Sequence, residues 1–222
     1  MSLETSKTLG GIGAILILVG SLATTYTFGV ITIIGVILVF IALNGLANYY
    51  HESGIFTNAI YSLVAGIVGV VAAAAAALYI IFDTTILTKL LQDIYPSWNG
   101  SWSTISSLRG MTPVTSNIST GDVTSALGAI FLVLVIVWAF GIVAAFFARR
   151  SLKTLSSKAI VGLFSTASLL LIIGAFLTII FIGFLLMWVA ALLIAIAFFQ
   201  IKPQPEQPVS TMAPPPSTPT PV

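Results

Sequence analysis

From Ala159 to Ile201 the chain carries no charged residue, and the run closes only at Lys202. A helix crosses the hydrocarbon core of a bilayer in about 20 residues. The 44 residues from Ala159 to Lys202 therefore suffice for two spans joined by a tight turn. Four further apolar stretches lie upstream, so the chain reads as an all-α, polytopic membrane helix bundle with six transmembrane helices. Composition agrees: 58% of residues are hydrophobic and 6% are charged, against about 25% charged in soluble domains. A soluble fold of this composition would expose apolar patches and aggregate. There is no cysteine, which excludes disulfides, thiolate zinc sites and iron–sulfur clusters.

The spans are expected at about 8–27, 29–47, 56–82, 123–148, 158–180 and 183–201. Thr24-Thr25-Tyr26-Thr27 breaks the first apolar run ahead of Gly29, and a turn is expected at 24–28. A second turn is expected near Thr178–Gly183. The fourth span is expected to end at Arg149-Arg150. Residues 83–122 form a 40-residue polar connection, too polar to span. Within it Ile86, Leu87, Leu90, Leu91 and Ile94 fall at helical spacing, predicting an amphipathic helix, with irregular loop after it. Residues 202–222 hold eight of the ten prolines, with no apolar periodicity. They are expected to form a disordered, polyproline-like tail.

Charge placement predicts sidedness. An even number of spans puts both termini on one side, together with Lys7, Arg149, Arg150, Lys153, Lys158 and Lys202. The other side holds only Lys89 and Arg109. Cytoplasmic loops carry the excess of Lys and Arg, so both termini are expected in the cytoplasm of a cell-membrane protein. Two Asn-x-Ser sequons, at Asn99 and Asn117, both fall in the loop this topology places outside. They are the candidate glycosylation sites.

Lys7, the short apolar core after it and Ser21-Leu22-Ala23 also resemble a signal peptide. A faint internal repeat argues for a retained first span. Leu16, Gly20, Thr24, Gly29 and Leu38 align with Leu170, Gly174, Thr178, Gly183 and Leu192 at a constant offset of 154. Two such hairpins would both start on the cytoplasmic side, unlike the inverted repeats of alternating-access transporters.

No charged residue lies deep inside any expected span, and Asp83 at the end of the third comes closest. Proton relays and ion-coupled transport use intramembrane charge. Asn44, Asn48 and His51 share one face at the end of span two, where they line a vestibule or mark the exit from the membrane. One histidine beside Glu52 is not a metal site. Gly69, Ala73 and Ala77, and likewise Gly141 and Ala145, repeat at four-residue spacing, as helix-packing faces do. Trp98 and Trp102 are expected to anchor the loop at the membrane interface. Arg149, Arg150, Lys153 and Lys158 form a basic cluster that fixes topology or meets lipid headgroups. No phosphate-binding loop, nucleophile elbow or His-Glu-x-x-His motif occurs, so no catalytic residue, cofactor or metal is expected.

Ser6-Lys7-Thr8-Leu9-Gly10-Gly11-Ile12-Gly13-Ala14-Ile15-Leu16, Ile41-Ala42-Leu43-Asn44-Gly45-Leu46-Ala47-Asn48-Tyr49-Tyr50 and Gly54-Ile55-Phe56 together resemble an uncharacterised family of archaeal membrane proteins, domain of unknown function 996. The resemblance covers residues 1–201 and excludes the proline tail. Some members end in a cysteine-bearing zinc ribbon; this chain has no cysteine, so no metal role carries over. The resemblance implies an archaeal cytoplasmic membrane and no known activity.

Two functions follow as expectations. One is a non-catalytic scaffold or accessory subunit of a membrane or envelope complex, partnered by lipid, other membrane subunits or a second copy, and not by nucleic acid. The other is a passive channel or transporter for a small neutral solute, its path lined by hydroxyls such as Thr24, Thr25, Ser165, Thr166, Ser168 and Thr178. Such hydroxyls more often bond to their own helix carbonyls. An enzyme is not expected, because no acid, base and nucleophile come together.

Overall fold

The computed structural model describes residues 2–22, 29–82, 84–114 and 120–203. The expected turn at 24–28, Asp83, Asn117 and all but the first residues of the proline tail lie outside the described residues. What is described is helical: α1 Leu3–Leu22, α2 Val30–Tyr49, α3 Ser53–Phe82, α4 Thr84–Ile94, a 3-10 helix Trp102–Gly110, α5 Thr120–Ala159, α6 Gly162–Leu177, a 3-10 turn Thr178–Ile180, and α7 Ile182–Phe199. Among the described residues, six helices are long and apolar enough to cross a membrane, namely all of these α-helices except α4.

Close backbone approach organises the bundle. Without water to drive helices together, packing in lipid rests on small residues that let backbones touch. Where α1 crosses α2, a side chain on Gly13 would lie 2.7 Å from the Gly35 carbonyl, and one on Gly35 would lie 2.6 Å from the Gly13 carbonyl. The α6/α7 hairpin repeats the device with Gly174 against Gly183. The two hairpins meet where Gly10 and Gly11 of α1 lie directly against the rings of Phe198 and Phe199 on α7. The third pair is α3 with α5, antiparallel. Tyr61 meets Phe147 at 5.4 Å between ring centroids, and a Cβ on Gly69 would lie 2.5 Å from Phe140. α5 also packs on α6, which gives the neighbour order α2–α1–α7–α6–α5–α3.

The hairpins of the suspected repeat share a layout, but the aligned glycines do not share a role. Gly29 is left-handed (φ 76°) and starts α2. Gly183 is helical and sits against Gly174, while the left-handed residue of the second hairpin is Phe181, φ 64°. The contact between hairpins joins the first helix of one to the second helix of the other. That is the geometry of translation, not of a two-fold axis.

Among the described residues a shared core forms at only one end, the end carrying the described N-terminal residues and Ile201. There Leu46, Ile55, Leu155, Phe164 and Phe198 are each under 2% exposed, and Leu3 joins them from α1. All six long helices thus contribute. Phe164 and Phe198 pack edge to face at 5.2 Å. Buried Ser151 donates its hydroxyl to the Ile55 carbonyl at 2.6 Å, bonding α5 to the first turn of α3. Toward the opposite end, which we call the loop end, burial thins out. No described residue of α5 before Ala145 is buried.

Two expectations are corrected, and one helix runs on past its expected span. The helix of the fourth span, α5, continues through Arg149 and Arg150 to Ala159, 40 residues in all. Ser151, Leu152 and Leu155 are buried on one side of that extension, so packing carries the helix on while the charges point elsewhere. The stretch after α4 is not irregular. Trp98 is 3% exposed and meets Trp102 edge-on at 6.1 Å. Its Nε1 donates to Thr104 Oγ1 at 3.1 Å, and Val114 N–H closes the segment on the Ile94 carbonyl at 2.7 Å. Trp98 is therefore the core of a small folded knot and not an interface anchor. The amphipathic helix itself stands as α4, with Leu90, Leu91 and Ile94 half-buried and Lys89 and Gln92 exposed.

Ala73 is 7% exposed, whereas Ala75, about 200° further round the helix, is exposed. Ala73→Leu must push α3 from its neighbour and is expected to destabilise by about 1–3 kcal/mol. Ala75→Leu adds the same volume toward open space and is expected to change little. Thermal unfolding in detergent compares them, and an equal loss in both would remove the assigned face.

Candidate functional site

The shared core is roofed by two short turns, and both end a helix in the same way. At the end of α2, His51 is left-handed (φ 50°). Its N–H reaches the Asn48 carbonyl at 3.3 Å, and Glu52 N–H reaches the Ala47 carbonyl at 2.9 Å. These are the two hydrogen bonds of a Schellman cap. At the end of α5, Ile160 is left-handed (φ 55°), Val161 N–H reaches the Ser156 carbonyl at 3.2 Å, and Ser156 Oγ donates to the Val161 carbonyl at 2.9 Å. Glycine is the usual residue at the left-handed position. Here a histidine and a β-branched isoleucine hold it. The turns are tied across the roof by Glu52 Oε2 to Lys158 Nζ at 3.1 Å. Both side chains are about a third or more exposed, so the pair contributes about 0–1 kcal/mol.

The four cluster cations spread over about half the circumference of α5. On a helix turning about 100° per residue, they follow in the order Arg149, Lys153, Arg150 and Lys158, the last reaching Glu52. Arg150 stacks its guanidinium 5.4 Å above the Phe146 ring, and Lys153 is exposed. Lys7 pairs with Glu4 at 2.7 Å. Together with Lys202 it lines a shallow groove at the same end, beside Ile160 and Thr166. These cations ring the core end of the bundle.

Asn44, Asn48 and His51 are all exposed and line no enclosed vestibule among the described residues. Among the described residues no group of three or more His, Cys, Asp or Glu is placed to hold a metal ion. Of the hydroxyls considered for a solute path, Ser168 donates to the Ser165 carbonyl at 2.7 Å and Thr178 to the Gly174 carbonyl at 2.8 Å. Thr166 leans on the Gly162 carbonyl at 3.5 Å. Thr24 and Thr25 lie outside the described residues.

The small-residue faces divide. Gly69 and Ala73 sit in the α3/α5 contact, Ala77 is half-buried and Ala145 is 3% exposed. Gly141 is different, since a Cβ there would meet nothing within 4 Å. It faces an apolar crevice between α5 and the α6/α7 hairpin. At the loop end Asn99 is exposed, and its Oδ1 accepts from Ser101 N–H at 3.0 Å and Thr104 Oγ1 at 2.7 Å. Tyr50 shows what sequence reading missed: its hydroxyl is buried with no hydrogen-bond partner among the described residues. No local pattern marks that, because the burial comes from the other helices.

The left-handed Ile160 yields a prediction. Its side chain is 82% exposed and buries little, while left-handed backbone costs an L-residue about 1–2 kcal/mol. Glycine returns about 0.5–1 kcal/mol of that through unfolded-state entropy. Ile160→Gly is expected to stabilise by about 0.5–1 kcal/mol. A melting temperature that stays level or falls would show that the isoleucine is held there by contacts.

The chain is similar to an uncharacterized protein of Methanocaldococcus jannaschii, with 27% identity over 202 residues, covering 90% of this chain and 94% of the relative. No solved structure matches it. The family described as Protein of unknown function (DUF996) matches residues 31–192. That match takes in α2 through most of α7, including both turns over the core, and the chain belongs to this family.

Proposed function

We propose that this protein is a multi-pass integral protein of the cell membrane, with both termini in the cytoplasm, and that it serves as a non-catalytic scaffold or accessory subunit of a membrane or envelope complex. One observation carries the accessory role. The apolar windows of α3 and α5 are 11% and 6% buried, against 39% for α1. These two long helices touch each other along one seam and leave Val64, Val71, Tyr79, Leu132 and Val143 exposed. In a membrane, such helices either meet lipid all round or supply the edge on which another subunit packs. The non-catalytic part rests on the sequence, which brings no acid, base and nucleophile together. A neutral-solute path finds less support, because Ser168 and Thr178 already bond to carbonyls of their own helical segment.

Mild extraction of the tagged chain from its native membrane is expected to bring down a membrane partner in fixed ratio. Leu132→Ala and Val143→Ala, which trim one exposed face of α5, are expected to reduce that ratio without lowering the yield of the chain. Purification of the chain alone, with both variants behaving as wild type, would remove the accessory reading.

Orientation rests on the cations ringing the core end and on the sequons, of which Asn99 lies exposed at the loop end. Cysteines introduced singly at Ser2, Ser106 and Ser217 are expected to react with an impermeant reagent from outside only at Ser106→Cys. In the native host the wild-type mass is expected to exceed that of Asn99→Gln by a glycan. Labelling at Ser2→Cys or Ser217→Cys with none at Ser106→Cys would invert the topology.

A further inference from the structure

α5 and the α6/α7 hairpin touch near the core end and then stand apart, leaving a crevice of about 620 Å³. Phe131, Trp138 and Gly141 line it from α5, with Ala175, Phe184 and Met187 opposite. Three lining side chains are polar, Ser62 of α3, Trp138 and Thr178, and the last two are already committed. Trp138 Nε1 donates across the crevice to the Phe176 carbonyl at 3.2 Å, and the Thr178 hydroxyl donates to Gly174. Apart from the Ser62 hydroxyl, the wall they leave is hydrocarbon.

Depth and size identify what fills it. The lining runs along α5 from Phe131 to Ala148, a rise of about 26 Å, inside an apolar stretch long enough to cross a membrane. The hydrocarbon core is about 30 Å thick, so a crevice of that height fits inside it. Apolar cavities exclude water, and one of about 150 Å³ holds a benzene, or about 25 Å³ per carbon. By that measure this crevice takes about 25 carbons, the size of one lipid chain.

We propose that the crevice is a binding site for one hydrocarbon chain of a membrane lipid, held between α5 and the α6/α7 hairpin. The site rests on insertion in a membrane and is independent of the accessory role. Gly141 makes room for it. A Cβ there meets nothing within 4 Å, so a larger side chain starts out into open crevice. Gly128, also on α5 and equally open, does not line the crevice and serves as the matched control.

The test is native mass spectrometry of the full, delipidated chain titrated with dioleoyl phosphatidylcholine. The wild type is expected to retain one lipid per chain at low lipid. Gly141→Leu is expected to weaken that retention by about tenfold, equivalent to 1.4 kcal/mol, with an unchanged melting temperature. Gly128→Leu is expected to match the wild type. Ala144→Leu, on the same wall, provides a second reading should Gly141→Leu fail to fold. Lipid retention equal in Gly141→Leu, Ala144→Leu and wild type would overturn the site. So would a wild type that retains no lipid, or one whose mass doubles in place of gaining a lipid.

Discussion

The bundle depends on the apolar core at one end, where six helices meet although most of them touch only two neighbours elsewhere. Leu46, Ile55, Leu155, Phe164 and Phe198 come from five different helices and are almost wholly buried. At that end the helices leave the apolar stretch and their ends approach water. Burial there recovers the hydrophobic free energy that lipid-facing surface does not. The bond from Ser151 to the Ile55 carbonyl and the Glu52–Lys158 pair fix how α3 and α5 enter this core. With that end fastened, the loop end is free to separate, and the crevice beside Trp138 is the space that separation leaves.

Away from the core, the geometry is set by where a side chain is missing. Gly13 against Gly35 and Gly174 against Gly183 draw two hairpins together, backbone on backbone. Gly69 lets Phe140 settle on α3. Gly141 has the same composition signal and the opposite environment, because the partner helix on its side has parted from α5. A small residue permits close approach but does not ensure that anything approaches.

Much of the fold was legible in the residues. Apolar length marked six helices, the Ile86–Ile94 periodicity marked the amphipathic helix, and Thr178–Gly183 marked the turn where Phe181 is left-handed. Less of the candidate site was legible. Arg149 and Arg150 read as the end of a span because charge marks the exit from a membrane, and nothing local showed that the helix itself runs on to Ala159. Trp98 read as an interface anchor because tryptophan is common there, yet Trp102, Thr104 and Asn99 gather it into a folded loop. His51 and Ile160 gave no sign of left-handed backbone, since glycine is the usual marker of that position.

The sequence by itself determined the helical class, the number of helices long enough to cross a membrane, and the concentration of basic residues at one end. These follow from local hydropathy and from where the charges stand along the chain. The tertiary structure decided which helices are neighbours, which end holds the core, that Lys158 pairs with Glu52, and that Gly141 faces a crevice while Gly69 faces a ring. Those depend on residues about 70 to 190 positions apart meeting in space. Apolar helices in lipid carry almost no pattern that names their partner, because lipid and a neighbouring helix are equally apolar to a leucine.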